Sequence, residues 1–316
     1  MSLASVWTME SALEAAVPEP GFADRVGEAV ERKHTQLVVG LDPRLDLLPM
    51  ELRGEAVLGR AAAASAVARF CKGIMDAVGP YVIGVKPQSA FFEALGSDGF
   101  RALEEVSDYA RSIGLLVIVD AKRGDIGSTA RAYAEAFLAP RDGSPHPLGD
   151  AVTANPFLGA DGCEPFLAAC RRNGAGVFFL VRTSNPGAAD VQDAVLLDGR
   201  PLWQHVAQYV HDWGQSLVGE RGLSSVGAVI GATHPRGVSE ARKLMPQTLL
   251  LLPGVGAQGA TPADVARAFT SGPASALVTA SRSVIYAFRG TDDDWRSAAA
   301  TEAERLATQV WAASGW

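Results

Sequence analysis

The sequence predicts an α/β chain folded as a (β/α)8 barrel, with an N-terminal extension and a C-terminal extra helix. Three observations carry that prediction. Eight short apolar runs punctuate the chain, each of the kind seen in strands buried on both faces. Helix-period segments alternate with them, as repeated βα units require. A polar residue closes run after run, at the strand end where barrel enzymes carry their chemistry.

Taken in order, the runs are "LVVGLD" (37–42), "YVIGVK" (81–86), "LLVIVD" (115–120), "DAVTAN" (150–155), "GVFFLV" (176–181), "VGAVIG" (226–231), "TLLLLPG" (248–254) and "SALVTA" (275–280). Helical periodicity fills 55–78, 99–113, 129–139, 162–172, 201–218, 238–244 and 262–270, and a last helix is expected over roughly 292–313. Residues 1–36 precede the barrel as an N-terminal extension, and 1–32 read either as such an extension or as a helix packed across the barrel bottom. The barrel then covers about 37–288 of a single domain spanning 1–316. Strand number alone leaves a doubly wound open sheet as the competing architecture. No GxGxxG follows the first strand and no GxxxxGK[ST] occurs, so neither dinucleotide nor P-loop binding has local support.

Composition excludes several classes of function. A formal charge of −7 over 316 residues argues against a nucleic-acid surface, which needs a basic patch. The longest helix-like apolar stretch, 61–78, is broken by Arg69, Lys72 and Asp76, so no membrane span is expected. Residues 1–40 contain no basic region leading into an apolar core, so no signal peptide is expected. Cys71, Cys163 and Cys170 are odd in number and lie in no CxxC, which suggests reduced, buried thiols in a cytoplasmic protein. His205 and His211 fall on different faces of their helical segment and make a poor metal pair, so no metal site is expected.

The polar residues at the strand ends are Asp42, Lys86, Asp120 with Lys122, Asn155, the stretch 182–185, Gln258 and Arg282. The third run is the most heavily charged, with Asp120, Lys122 and Asp125 in six positions. Asp120 and Lys122 share one side if the strand persists, and Asp125 precedes a helical segment. An ion pair plus a helix cap would account for them. Yet Lys86 brings a second ammonium and Asp42 another carboxylate to the same rim. Alternating buried charges are costly unless each is paired, and that cost suggests use. In "LLPGVGAQGATP" (251–262), glycines 254, 256 and 259 permit close backbone approach to an anion. Thr261 before Pro262 reads as a helix N-cap with a first-turn proline. Arg282 adds a planar fork suited to phosphate, from the strand-eight loop where barrels commonly bind it. Asn155 before Pro156 reads as a turn residue.

"DAKRGDI" resembles the DxKxxDI signature of orotidine 5′-phosphate decarboxylases. The resemblance extends through "GLDPR", "VKPQSAFFE", "DAKRGDIGSTA", "TANPFLG", "TSNPG", "PGVGAQG" and "ASRSVIYA", roughly 37–288, and is closest to the longer bacterial branch. It implies a cofactor- and metal-independent conversion of orotidine 5′-phosphate to UMP in de novo pyrimidine synthesis. It implies that Lys86, Asp120, Lys122 and Asp125 form an alternating array, with Lys122 the proton donor to C6 and Asp120 against the departing carboxylate. In a homodimer, Asp125 would reach the partner's site. Asp42 would bind a ribose hydroxyl, Ser184 the pyrimidine edge, and Gln258 and Arg282 the phosphate. Ile126 would line the apolar pocket near the leaving group, and Thr129 would also contact substrate. Related sugar-phosphate lyases share DxKxxD but hold an enediolate on Mg²⁺, and a silent phosphate-sensing barrel is a further alternative. "VKPQ", the isoleucine after the motif and "PGVGAQG" favour the nucleotide enzyme. At this length a monofunctional polypeptide, without a fused phosphoribosyltransferase of ordinary domain size, is expected.

Overall fold

The computed structural model of the chain describes residues 20–256, 259–291 and 293–316. Eight parallel strands close into a barrel in chain order: β1 (Leu37–Leu41), β2 (Gly84–Pro87), β3 (Leu116–Arg123), β4 (Ala151–Ala154), β5 (Gly176–Arg182), β6 (Ser224–Ile230), β7 (Thr248–Pro253) and β8 (Ala276–Ala280). Closure is direct, since β8 pairs with β1 through Leu37↔Val278 and Val38↔Thr279. An open doubly wound sheet is thereby excluded.

Helix α1 (Phe22–Lys33) precedes the barrel, and α2 (Met50–Ala56) and α3 (Arg60–Val78) follow β1. Then come α4 (Ser89–Glu93), α5 (Gly96–Ser112), α6 (Gly127–Leu138), α7 (Ala160–Asn173), α8 (Ala188–Gln192), α9 (Leu202–Gly214) and α10 (Pro235–Leu244). After β8 the chain forms α11 (Arg282–Ile285) and the expected extra C-terminal helix, α12 (Trp295–Ser314).

Three elements differ from the periodicity reading. The segment 55–78 is two helices, parted at Gly59, whose φ of 134° belongs to glycine. The second strand starts late because Gly79–Tyr81, around Pro80, make a 3-10 turn. Pro262–Ser271 forms a 3-10 run rather than an α-helix. Thr261 does cap it, through a reciprocal box with Asp264.

Strand register explains where the core ends and the site begins. Gly40 pairs with Lys86, and Gly84 with Leu116, so residues 38, 40, 84, 86, 116, 118 and 120 share the inner face. Low in the barrel these inner positions are apolar: Val38, Ile118, Phe178, Leu249 and Leu277 pack with Ile83. Helix α1 closes the bottom. Its Phe22 meets Phe178 edge-on at 5.9 Å. Gly176 makes the room, because a Cβ there would lie 2.3 Å from the Phe22 ring. Asp24 accepts the Arg221 N–H and Arg25 pairs with buried Asp150 at 2.9 Å, fixing the helix to the β-strand N-termini. The helices bury their apolar stripes on the outer face of the strands. Arg242 ties that layer together by donating to the carbonyls of Ala268, Met245, Thr248 and Ser275, and burial pulls its pKa down to about 10.

Candidate active site

At the carboxyl ends of the strands the same inward positions open into a cavity of about 640 Å³, within the usual size range of small-molecule sites. Leu180, Val229 and Leu251 make an apolar floor, while Asp42, Lys86, Asp120, Lys122 and Thr153 line one polar side. Ser184, Ser281 and Arg282 border it elsewhere.

Asp120 organises the polar side. Its Oδ2 accepts from Lys86 Nζ at 2.8 Å and from Gln88 Nε2 at 3.2 Å. Its Oδ1 accepts from Lys122 Nζ at 2.5 Å and from the Thr153 hydroxyl at 2.9 Å. Burial would favour a neutral carboxyl here, but the Lys86 and Lys122 ammonium groups outweigh it and hold Asp120 well below the ordinary carboxylate range. Burial would likewise depress Lys86. The Asp120 and Asp42 carboxylates overcome that and raise it above the usual lysine value. The buried Lys86 and Asp120 therefore stand as an ion pair at the cavity wall, with the more exposed Lys122 on the other carboxylate oxygen.

Local backbone geometry sets Lys122 apart. Between Val119↔Val152 and Arg123↔Ala154 the register of β3 on β4 shifts, so Asp120, Ala121 and Lys122 lie opposite Thr153 alone. Lys122 has φ 49°, a left-handed conformation uncommon for a residue with a Cβ. Its Nζ reaches back to Asp120 while its side chain stays 45 % exposed, open to whatever fills the cavity.

Asp42 follows β1 and lines the cavity with a buried Oδ1 that has no hydrogen-bond partner among the described residues. Its carbonyl accepts from Tyr286 Oη at 2.8 Å, and Tyr286 Oη in turn accepts the Arg44 N–H at 2.7 Å, which pins this loop to the end of α11. Arg282 starts α11 and lines the cavity, as does Ser184 after β5. Gln258 lies outside the described residues.

Asp125, Ile126 and Thr129 are not brought to this cavity within one chain. Ile126 is 57 % exposed, Thr129 is exposed, and neither lines it. The chain leaves the rim through left-handed Gly127, which starts α6 away from the barrel axis. The helix-cap reading of Asp125 also fails: the N-cap is Ile126, with no side-chain cap, and Asp125 Oδ1 accepts only the adjacent Ile126 N–H. Asn155 does serve as a turn residue, accepting from Phe157 N.

Gln88 and Thr153 escaped the sequence reading as ligands of Asp120. Both were reachable by alternation, since 86 and 88, like 151 and 153, fall on one side of their strands. Gln192, which accepts the Thr183 N–H and donates to its hydroxyl, comes from α8 and had no such signal. Among the described residues no group of three or more His, Cys, Asp or Glu side chains has metal-binding geometry.

A family model described as orotidine 5′-phosphate decarboxylase / HUMPS family matches residues 35–289. The chain is 45 % identical to an orotidine 5′-phosphate decarboxylase of Rhodopirellula baltica, over 85 % of this chain and 89 % of that one. It is 46 % identical to one of Deinococcus radiodurans, over 86 % and 92 %. Among solved structures it is similar to the OMP decarboxylase of Leishmania donovani, with a TM-score of 0.71 and 29 % identity, covering 94 % of this chain and 99 % of that one.

Proposed function

The chain belongs to the orotidine 5′-phosphate decarboxylase family, and from that premise we propose how its cavity works. It is a carboxy-lyase that converts orotidine 5′-phosphate to UMP in pyrimidine biosynthesis. Lys122 protonates C6 as carbon dioxide leaves. Asp120 lies against the departing carboxylate and, with Lys86, holds the Lys122 ammonium in place. Asp42, whose buried Oδ1 lacks a partner among the described residues, accepts from a ribose hydroxyl, and Ser184 meets the pyrimidine edge. Arg282, which lines the cavity, takes the phosphate together with Gln258.

The observation that carries this reading is the Lys86–Asp120–Lys122 chain at the cavity wall, with contacts of 2.8 and 2.5 Å. Losing carbon dioxide from C6 leaves a carbanion in the ring plane, with almost no delocalisation. A fixed ammonium stabilises that charge more in the transition state than in the ground state, the condition for acceleration. The ammonium takes the electrophile's place, so no metal or cofactor is invoked. The working enzyme is a homodimer in which Asp125, Ile126 and Thr129 complete the partner's site. The exposure of Ile126 and Thr129, with Phe157 exposed at the cavity border, supports that arrangement. The barrel acts as one decarboxylase domain, and three buried free thiols suit a cytoplasmic setting.

The test is UMP formation, followed by the fall in orotidine absorbance, before and after exhaustive EDTA treatment. Undiminished turnover is expected. Complete loss restored by Mg²⁺ would indicate the enediolate chemistry of the sugar-phosphate lyases instead.

A further inference from the structure

We infer that Thr153 is a positioning residue for the reaction, a clamp that fixes both the backbone and the counter-ion of Lys122. The inference rests on the reading of Lys122 as the proton donor.

Thr153 is 1 % exposed on β4, and its hydroxyl joins two parts of the site. It accepts the Lys122 backbone N–H at 3.0 Å and donates to Asp120 Oδ1 at 2.9 Å. The Lys122 ammonium returns to that same Oδ1 at 2.5 Å. Backbone, hydroxyl, carboxylate oxygen and ammonium thus form a closed loop, with Thr153 its member from a different strand.

The register shift explains why a hydroxyl stands there. Three β3 residues oppose Thr153 alone, so the ladder offers Lys122 N–H no strand carbonyl at this point. A partly buried N–H left without a strand partner gains by an acceptor, and the Thr153 side chain supplies it. The bulge also carries the left-handed φ of 49° at Lys122, a conformation that persists only where its surroundings over-determine it. One oxygen meets both needs. Because it uses its proton on Asp120, it also fixes which carboxylate oxygen faces the ammonium. Valine has the same shape but can neither accept nor donate, whereas serine keeps both functions.

The consequence is kinetic. A proton donor displaced by a fraction of an ångström or tilted off its line loses rate while ribose and phosphate contacts, made elsewhere, keep their affinity. Thr153→Val should lower kcat by about 10- to 100-fold with KM within about threefold of wild type. Thr153→Ser should restore most of the loss. Misplacing the donor should also make proton transfer more rate-limiting, so the solvent deuterium effect on kcat should rise in the valine variant and not in the serine variant. Mere loss of folded protein would leave that ratio unchanged. A valine variant within twofold of wild type in kcat, or valine and serine variants equally impaired with unchanged isotope effects, would overturn the assignment. If the valine chain does not fold, Thr153→Ala set against Thr153→Ser gives the same contrast. Lys122→Ala, assayed alongside, separates the two readings. If it retains turnover, the role of Lys122 itself is wrong; if it is inactive while Thr153→Val is unimpaired, only the clamp is.

Discussion

Asp120 has four donors, two charged and two neutral, and removing one of each kind should have different effects. Lys86→Met deletes a buried ammonium but keeps the bulk, leaving Asp120 with Lys122 as its remaining cation. Breaking a buried pair in this way costs about 3 kcal/mol, the lower end of the range because Lys122 still compensates. The pH dependence follows from the directions of the two shifts. Asp120 is depressed, so its contribution is present above the ordinary carboxylate range and is lost as pH falls through its folded value. Lys86 is raised, so its contribution is complete below the ordinary lysine value and fades only as pH rises through its higher folded one. Urea unfolding should therefore show the largest wild-type advantage over Lys86→Met near neutral pH, shrinking under acid. A gap that grew on acidification would contradict the pairing. At the cavity border, Arg282→Ala tests the proposed phosphate contact. It should lower kcat/KM for the nucleotide by about 30- to 100-fold, with part of the loss recovered by added guanidinium. Unchanged kinetics would mean the phosphate sits elsewhere. The charged members of the site were legible because Asp and Lys are conspicuous at the ends of apolar runs. Alternation put Thr153 and Gln88 on the right faces but did not mark them, because a neutral donor reads like any other strand or turn residue until a partner is seen.

The strands were legible for a related reason: burial on both faces leaves a predominantly apolar run in each of them, with few polar positions. Helices on the outside kept their stripe but not their ends. The break at Gly59 and the 3-10 winding of Pro262–Ser271 are backbone choices to which a hydrophobic period is insensitive. The bulge in β3 was invisible too, since it inserts residues without disturbing composition. Helix α1 shows the opposite case, an element whose place across the bottom was suggested by its position before the first strand. Its weight can be measured. Phe22→Ala empties a fully buried ring site beside Phe178 and should cost about 3–5 kcal/mol, read as a fall in melting temperature. Gly176→Ala drives a methyl into the same ring and should cost about 1–3 kcal/mol. Both changes lie at the end of the barrel away from Lys122, so kcat at 25 °C should stay near wild type. A variant of normal stability would show that α1 is not the closure of the core.

At the scale of the whole molecule, one chain leaves a cavity with three members of the charged array inside it and Asp125 outside. Exposed Ile126 and Phe157 near the same rim give that face an apolar surface a second copy could cover. Complementation tests whether the sites are shared. If Asp125 works in the partner's cavity while Lys86, Asp120 and Lys122 work in their own, Lys122→Ala and Asp125→Ala homodimers should both be nearly inactive, because each cavity lacks one member. In a mixed dimer one cavity collects both lesions and the other collects neither. Random exchange makes about half the dimers mixed, so about a quarter of all cavities should regain wild-type composition, and with it about a quarter of wild-type turnover. Were all four residues to act within one chain, no mixture could assemble an intact site. The two purified variants are mixed under exchange conditions, exchange is verified with differently tagged subunits, and UMP formation is measured. Verified exchange without recovery of activity would confine the chemistry to Lys86, Asp120 and Lys122 of a single chain, and would leave Asp125 as a rim residue that meets no substrate.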